Sequence, residues 1–309
     1  MIKYALIFAI IVGGILLWRA IRPGASSTDL SRLPGMEEFK KKWENDNPEG
    51  PALSEEDINE WKAALDGLAL PAAILTPDPS LPVEAGGNRL GGPAYLPAGE
   101  AWPKAANGLP AIFLAQIDFT QLPDLPDFPR RGILQLFVAS DDLSGMNIDD
   151  PTAPDIIALY HRGGLEDAVQ QGPYIEPEGE GTSPLMDKAV TEGVALTPTL
   201  AMLGVSSSSW QGDEALDGLG RREGFNKLED HLYDEKRGLP AAHHVGGHPE
   251  FVQSDLRFDG NKDFDRVLLR LTSDKYLQWG DVGEANFLIR RDDLVARQFD
   301  RLLFTWDCS

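Results

Sequence analysis

The chain has 309 residues, 42% of them hydrophobic, enough to build a substantial core in one large or two small domains. Its net charge of −21 excludes a general nucleic-acid binder, because the phosphate backbone requires a basic face. With Cys308 as the single cysteine, neither an internal disulfide nor a cysteine-based zinc centre can form.

Residues 4–18 form an uncharged apolar run between Lys3 and Arg19. At about 1.5 Å per residue the run is short for a hydrocarbon core of about 30 Å. Snorkelling of Lys3 and Arg19, with Tyr4 and Trp18 at the interfaces, makes up the difference. No small-residue cleavage site ends the run, and Arg19 and Arg22 follow it directly. Residues 1–22 therefore read as an uncleaved transmembrane anchor rather than a signal peptide. Arg19, Arg22 and Arg32 outweigh Lys3 and the amino terminus, which favours a cytoplasmic domain.

Residues 23–69 read as a linker followed by two amphipathic helices. In the first, Met36, Phe39 and Trp43 recur at helical spacing. In the second, Ser54 is an N-cap with Asp57 three residues on, and Ile58, Trp61, Leu65 and Leu68 form one stripe. Residues 70–82, punctuated by proline, read as an extended strand at a sheet edge, since proline cannot donate to a ladder. Residues 110–119 and 132–140 are broadly apolar and predict two central strands. The segments 141–184 and 211–240 are polar surface loops, the first carrying a strand at 155–162 and the second a short helix near 225–232. Strands return at 264–274 and after Gly283. A helix is predicted over 292–302, capped by Asp292 or Asp293, with Leu294, Val295, Phe299 and Leu302 as its stripe.

An internal repeat runs through these strands. "GGP" at 91–93 is echoed by "GGHP" at 246–249, "FLAQIDF" at 113–119 by "VLLRLTSD" at 267–274, and "GILQLFVASDD" at 132–142 by "GEANFLIRRDD" at 283–293. Two half-domains, about 86–142 and 243–303, would share one β-rich core, with helices at 36–68 and 292–302 over its edges.

The same segments, with "QWGDVGEANFLIRRDDL", resemble the YwqG-like family, a bacterial domain of unknown function, from about residue 70 to the end. The resemblance implies an α+β, β-rich fold of two similar half-domains over 70–309 and a bacterial source, hence single-pass anchorage in an inner membrane. It implies no settled activity. The family pattern usually has an aromatic residue where this chain has His248, so a metal role for His248 is not implied.

Several residues are candidates for chemistry. Asp118 in "AQID" and Asp281 in "WGD" are possible paired carboxylates, provided the repeat brings both strand ends together. Their structural reading is simpler: Asp beside Gly caps a turn, so "WGDVG" is a strand-to-strand turn first. Gln116 and Gln253 interrupt apolar runs and, with Trp102, Trp279 and Arg290, could line a pocket for an anionic or planar group. His243, His244 and His248 read as solvated loop residues rather than a metal site, since adjacent strand residues face opposite ways. No metal or cofactor is expected. The glycines at 86–92 lack the Lys-Ser/Thr of a phosphate loop, and the serines at 206–209 lack a nucleophile elbow.

These features predict a membrane-anchored, non-enzymatic module that binds a protein partner. A basic partner suits the acidic loops. The alternative is a ligand-binding or hydrolytic domain with a cleft between the half-domains.

Overall fold

The computed structural model describes residues 54–165, 168–171, 183–186, 188–206, 209–219, 242–258 and 260–308. The expected anchor over 4–18, the linker, and the helices expected at 35–46 and 225–232 lie outside them. No helix among the described residues is long and apolar enough to cross a membrane.

Twelve strands occur among the described residues: β1 (Leu70–Asp78), β2 (Arg89–Leu90), β3 (Ala94–Pro97), β4 (Ile112–Asp118), β5 (Ile133–Val138), β6 (Ile156–His161), β7 (Ala168–Gln171), β8 (Val194–Leu203), β9 (His243–Gly246), β10 (Arg266–Thr272), β11 (Gly283–Ile289) and β12 (Leu302–Cys308). The helices are few: α1 (Glu55–Asp66), α2 (Lys188–Thr191), α3 (Trp210–Gly218) and α4 (Arg291–Ala296). Ten strands form one sheet in the order β12-β11-β10-β9-β1-β8-β2-β4-β5-β6, with β3 and β7 paired separately. All its pairings are antiparallel.

The sheet is barrel-like and nearly closed. The loop between β5 and β6 reaches the opposite edge strand, where Phe304 N donates to Pro151 O (3.0 Å) and Trp306 Nε1 to Leu143 O (2.8 Å). Tyr160 of β6 lies 4.9 Å from Phe299, just before β12. The expected helical covers are thus not what meets the edges described here. Instead α1 packs with α3 in a satellite cluster of Trp61, Leu65, Val205 and Leu216. Ser54 caps α1 as expected, accepting from Asp57 N (3.1 Å).

β4 and β5 are buried on both faces, which is why they read as continuous apolar runs. One face carries Leu114, Ile117, Leu134 and Leu136 into the main core. The other packs Phe113 and Phe137 against Ala94 and Leu96 of β3.

Two expectations need correction. β1 is not an edge strand, for it pairs with both β8 and β9. Its prolines survive there because Pro71 and Pro77 share a parity that faces β9. That short strand pairs only from Ala72 to Leu75, so both prolines flank the ladder. The helix expected at 292–302 ends at Ala296, and its N-cap is Arg290, without a side-chain cap bond. Arg297 terminates it in the left-handed region (φ +61°). Leu302, which completed the helical stripe, instead begins β12 and is buried there.

Candidate functional site

The direction of the strands decides which candidates can meet. Six antiparallel pairings separate β4 from β11, so the two strands run the same way. Asp118 is the last residue of β4, and Asp281 precedes the first residue of β11. The two carboxylates therefore lie at opposite ends of the sheet and form no pair. Asp118 Oδ1 accepts from Thr120 N (2.9 Å) and Thr120 Oγ1 (2.7 Å), and Asp118 N donates to Asn88 Oδ1 (2.8 Å). It caps the turn that leaves β4.

The "WGD" segment is a strand-to-strand turn. Gly280 has φ +56°, and a Cβ there would lie 2.5 Å from Cys308 Sγ, so glycine is required. Asp281 is exposed, whereas Trp279 is buried against Phe304 and Trp306 in the main core. Trp279 N donates to Ser273 Oγ (2.9 Å).

Gln116 is fully buried and fully occupied. Its Nε2 donates to Ala85 O (2.9 Å) and Gly87 O (2.8 Å), and its Oε1 accepts from Gln135 Nε2 (2.9 Å). Gln135 Nε2 also donates to Tyr95 O (2.9 Å), and Gln135 Oε1 lies 2.9 Å from His161 Nε2. An oxygen can only accept, so His161 Nε2 carries the proton. Burial depresses the His161 pKa against the pull of Glu100.

The remaining candidates are dispersed. Gln253 is exposed rather than buried in a strand; its N donates to Asp307 Oδ2 (2.8 Å) and its Nε2 to Cys308 O (2.9 Å). Arg290 lies over the Phe264 ring (3.8 Å) and pairs with Asp263. Trp102 Nε1 donates to Ala111 O (2.9 Å), and its ring meets Phe137 edge-on at 5.6 Å. Gln253, Arg290 and Trp102 thus each bond to different partners.

The histidines are not solvated loop residues. His243, His244 and His248 are all buried, the first two in β9. His243 Nδ1 accepts from Thr272 N (3.1 Å), His244 Nδ1 lies 2.9 Å from Gly246 O, and His248 Nε2 lies 2.7 Å from Leu68 O. Burial, with Arg270 nearby, pushes the His244 pKa down to about 3. No group of three or more His, Cys, Asp or Glu among the described residues is placed to hold a metal ion.

Sequence reasoning missed two arginine features. Arg89 is 1% exposed, and its guanidinium has no hydrogen-bond partner among the described residues. It lies between the rings of Tyr95 (5.2 Å) and Phe113 (5.0 Å), and burial pushes its pKa down to about 10. Separately, Pro129, Arg130, Arg131, Tyr160, Arg162 and Arg297 line a cavity of about 310 Å³ where the two sheet edges meet. The signal was available in topology: residues before β5, after β6 and before β12 must all reach the Asp118 end of the sheet.

The profile of a domain of unknown function, DUF1963, matches residues 88–308. The chain belongs to the DUF1963 family. The DUF1963 match takes in β2 to β12, including the arginine cavity and every candidate residue above. It begins at 88 rather than near 70, so β1 stands outside it while lying inside the sheet. No curated protein matches this DUF1963 chain.

Proposed function

We propose that this chain is a non-enzymatic protein-binding module, held at a bacterial inner membrane by residues 4–18 with its domain on the cytoplasmic side. The observation that carries the reading is the separation of Asp118 from Asp281, together with the internal bonding of Gln116. Acid–base catalysis needs its groups within reach of one substrate, and these groups are committed elsewhere.

The loop between β5 and β6 suits a partner. Asp141 Oδ1 accepts from Leu143 N and Gly145 N, Asn147 Oδ1 from Asp149 N and Asp150 N, and Asp150 Oδ1 from Thr152 N. These bonds hold the acidic loop in one shape and so lower the ordering cost of binding. At its tip Ile148 is 70% exposed beside exposed Asp149 and Asp150. An apolar anchor rimmed by carboxylates fits a basic protein surface.

The proposal includes two related half-domains, about 86–142 and 243–303. Both hairpins carry one register irregularity at the same place, between Phe113 and Ala115 in one and Val267 and Leu269 in the other. Counting from those irregularities aligns Gln116 with Arg270 and Gln135 with Asn286. It also aligns Arg89 with His244, since these face Gln116 and Arg270. The left-handed pair Gly91–Gly92 then falls on the left-handed pair Gly246–Gly247.

The test is affinity capture from detergent-solubilised membranes, with Ile148→Ser/Asp149→Lys beside the wild type. Both substitutions are at exposed positions and leave the loop's capping oxygens in place. A partner retained by the wild type and lost by the variant supports the reading; equal retention by both overturns the assignment of this loop.

A further inference from the structure

We propose that the cavity between the two sheet edges binds a compact phosphate-bearing anion, held by Arg131, Arg162 and Arg297 over a floor formed by Tyr160. The proposal is independent of the protein-binding reading and uses a different surface.

In a chain of net charge −21, four of the six residues lining this cavity are arginines and none is acidic. The other arginines at this end of the sheet are neutralised. Arg266 pairs with Asp127 and Asp265, Arg291 with Asp127, Arg290 with Asp263 and Asp293, and Arg301 with Asp293. On the cavity rim Arg130 pairs with Asp124 (2.6 Å). Arg131, Arg162 and Arg297 have no ion pair among the described residues, and Arg297 Nη1 donates to Val295 O of its own helix. Like charges gathered this way repel, and an anion between them turns the repulsion into attraction.

The three guanidiniums come from three segments: the turn before β5, the residue after β6, and the helix terminus before β12. Tyr160 Oη donates to Arg131 O (2.8 Å), which ties the first segment to β6. The Tyr160 ring packs on Phe299 at 4.9 Å and Phe119 at 6.1 Å, which fixes the floor. Arg297 stands in the left-handed region where glycine is the usual residue. A side chain there carries a backbone cost that its position over the cavity explains.

About 310 Å³ admits a small molecule and not a folded partner. Arginines carried on three separate segments match the several oxygens of a phosphate better than the two of a carboxylate. A soluble phosphorylated metabolite and a lipid headgroup both present this chemistry. The cavity lies between segments of the two halves, where the alternative reading expected a cleft, but none of the residues expected there lines it.

The experiment is calorimetric titration of the full chain in a non-ionic detergent. The probes are pyrophosphate and, below its micellar concentration, dihexanoyl-phosphatidylglycerol. Arg131→Gln/Arg162→Gln is expected to weaken binding by about tenfold or more, the loss typical of charge-assisted hydrogen bonds. Arg297→Gly is expected to weaken binding while leaving the fold at least as stable, since glycine accepts the left-handed backbone. Arg301→Gln removes the same charge from the same end and is expected to change affinity less than about twofold, as its carboxylate partner already occupies it. Binding of pyrophosphate identifies a soluble ligand, and binding of the lipid alone identifies a headgroup; either supports the site. Absence of binding by both probes, or an equal loss in Arg301→Gln, overturns it.

Discussion

Gln116 and Gln135 are tolerated in the core because each occupies the other, with backbone carbonyls taking the remaining donors. Replacing Gln116 with Leu leaves Ala85 O, Gly87 O and one Gln135 donor without their partner, and is expected to cost about 1–3 kcal/mol in urea unfolding. Asp118→Asn keeps a turn-capping oxygen and Asp281→Asn lies on the surface, so each is expected to change stability by less than about 0.5 kcal/mol. His244 sets a pH dependence. Its pKa is 6.5 in the unfolded chain and about 3 in the fold, where burial, then Arg270 and His243, oppose its charge and the Gly246 carbonyl and Glu250 favour it. Between those values only the unfolded chain takes up the proton. The stability it supports is complete above pH 6.5 and falls by about 1.4 kcal/mol per unit as the pH drops below that. Asp307, raised by burial, takes up its proton first in the fold and offsets part of the loss in the lower part of that range. Urea midpoints measured from pH 7.5 to 5 are expected to slope downward in the wild type and less steeply in His244→Gln, where His161, also depressed by burial, keeps part of the slope.

At the scale of the element, the legible features were those set by local chemistry. Ser54 capping α1, the apolar runs of β4 and β5, and the turn at Gly280 all followed from neighbouring residues. The errors arose where partners distant in sequence decided the outcome. Pro71 and Pro77 pointed to an edge, yet a short β9 lets an inner strand carry proline outside its four paired positions. Phe299 and Leu302 fell at helical spacing, yet β11 offered a strand partner and drew Leu302 into the sheet. The glycine turn after β2 is a firm requirement. A Cβ on Gly91 would fall on the Ala189 carbonyl oxygen, and its φ of +54° disfavours any L side chain. Gly91→Ala is expected to cost about 3 kcal/mol or more in thermal or urea unfolding, with Gly99→Ala, which meets no atom within 4 Å, costing less.

For the whole molecule, the family and the β-rich class were readable because the strand and turn segments are distinctive even without partners. The site was not, because it depends on which strand ends coincide. That follows from the order of ten strands, in which β1 and β8 enter between β2 and β9. Once the order is known, Asp118 and Asp281 separate and the arginines before β5, after β6 and before β12 converge. The large negative charge adds a property of the whole surface: capture of a basic partner is expected to weaken with added salt, as the Debye length shortens from about 10 Å at 0.1 M to about 3 Å at 1 M. The most direct measurement is capture from detergent-solubilised membranes by the wild type and by Asp118→Asn/Asp281→Asn, both first shown to fold. Equal retention of one specific protein by both is the predicted result. A small molecule that co-purifies with the wild type and is lost from the double variant, with no protein retained by either, would contradict the account and make those carboxylates the site.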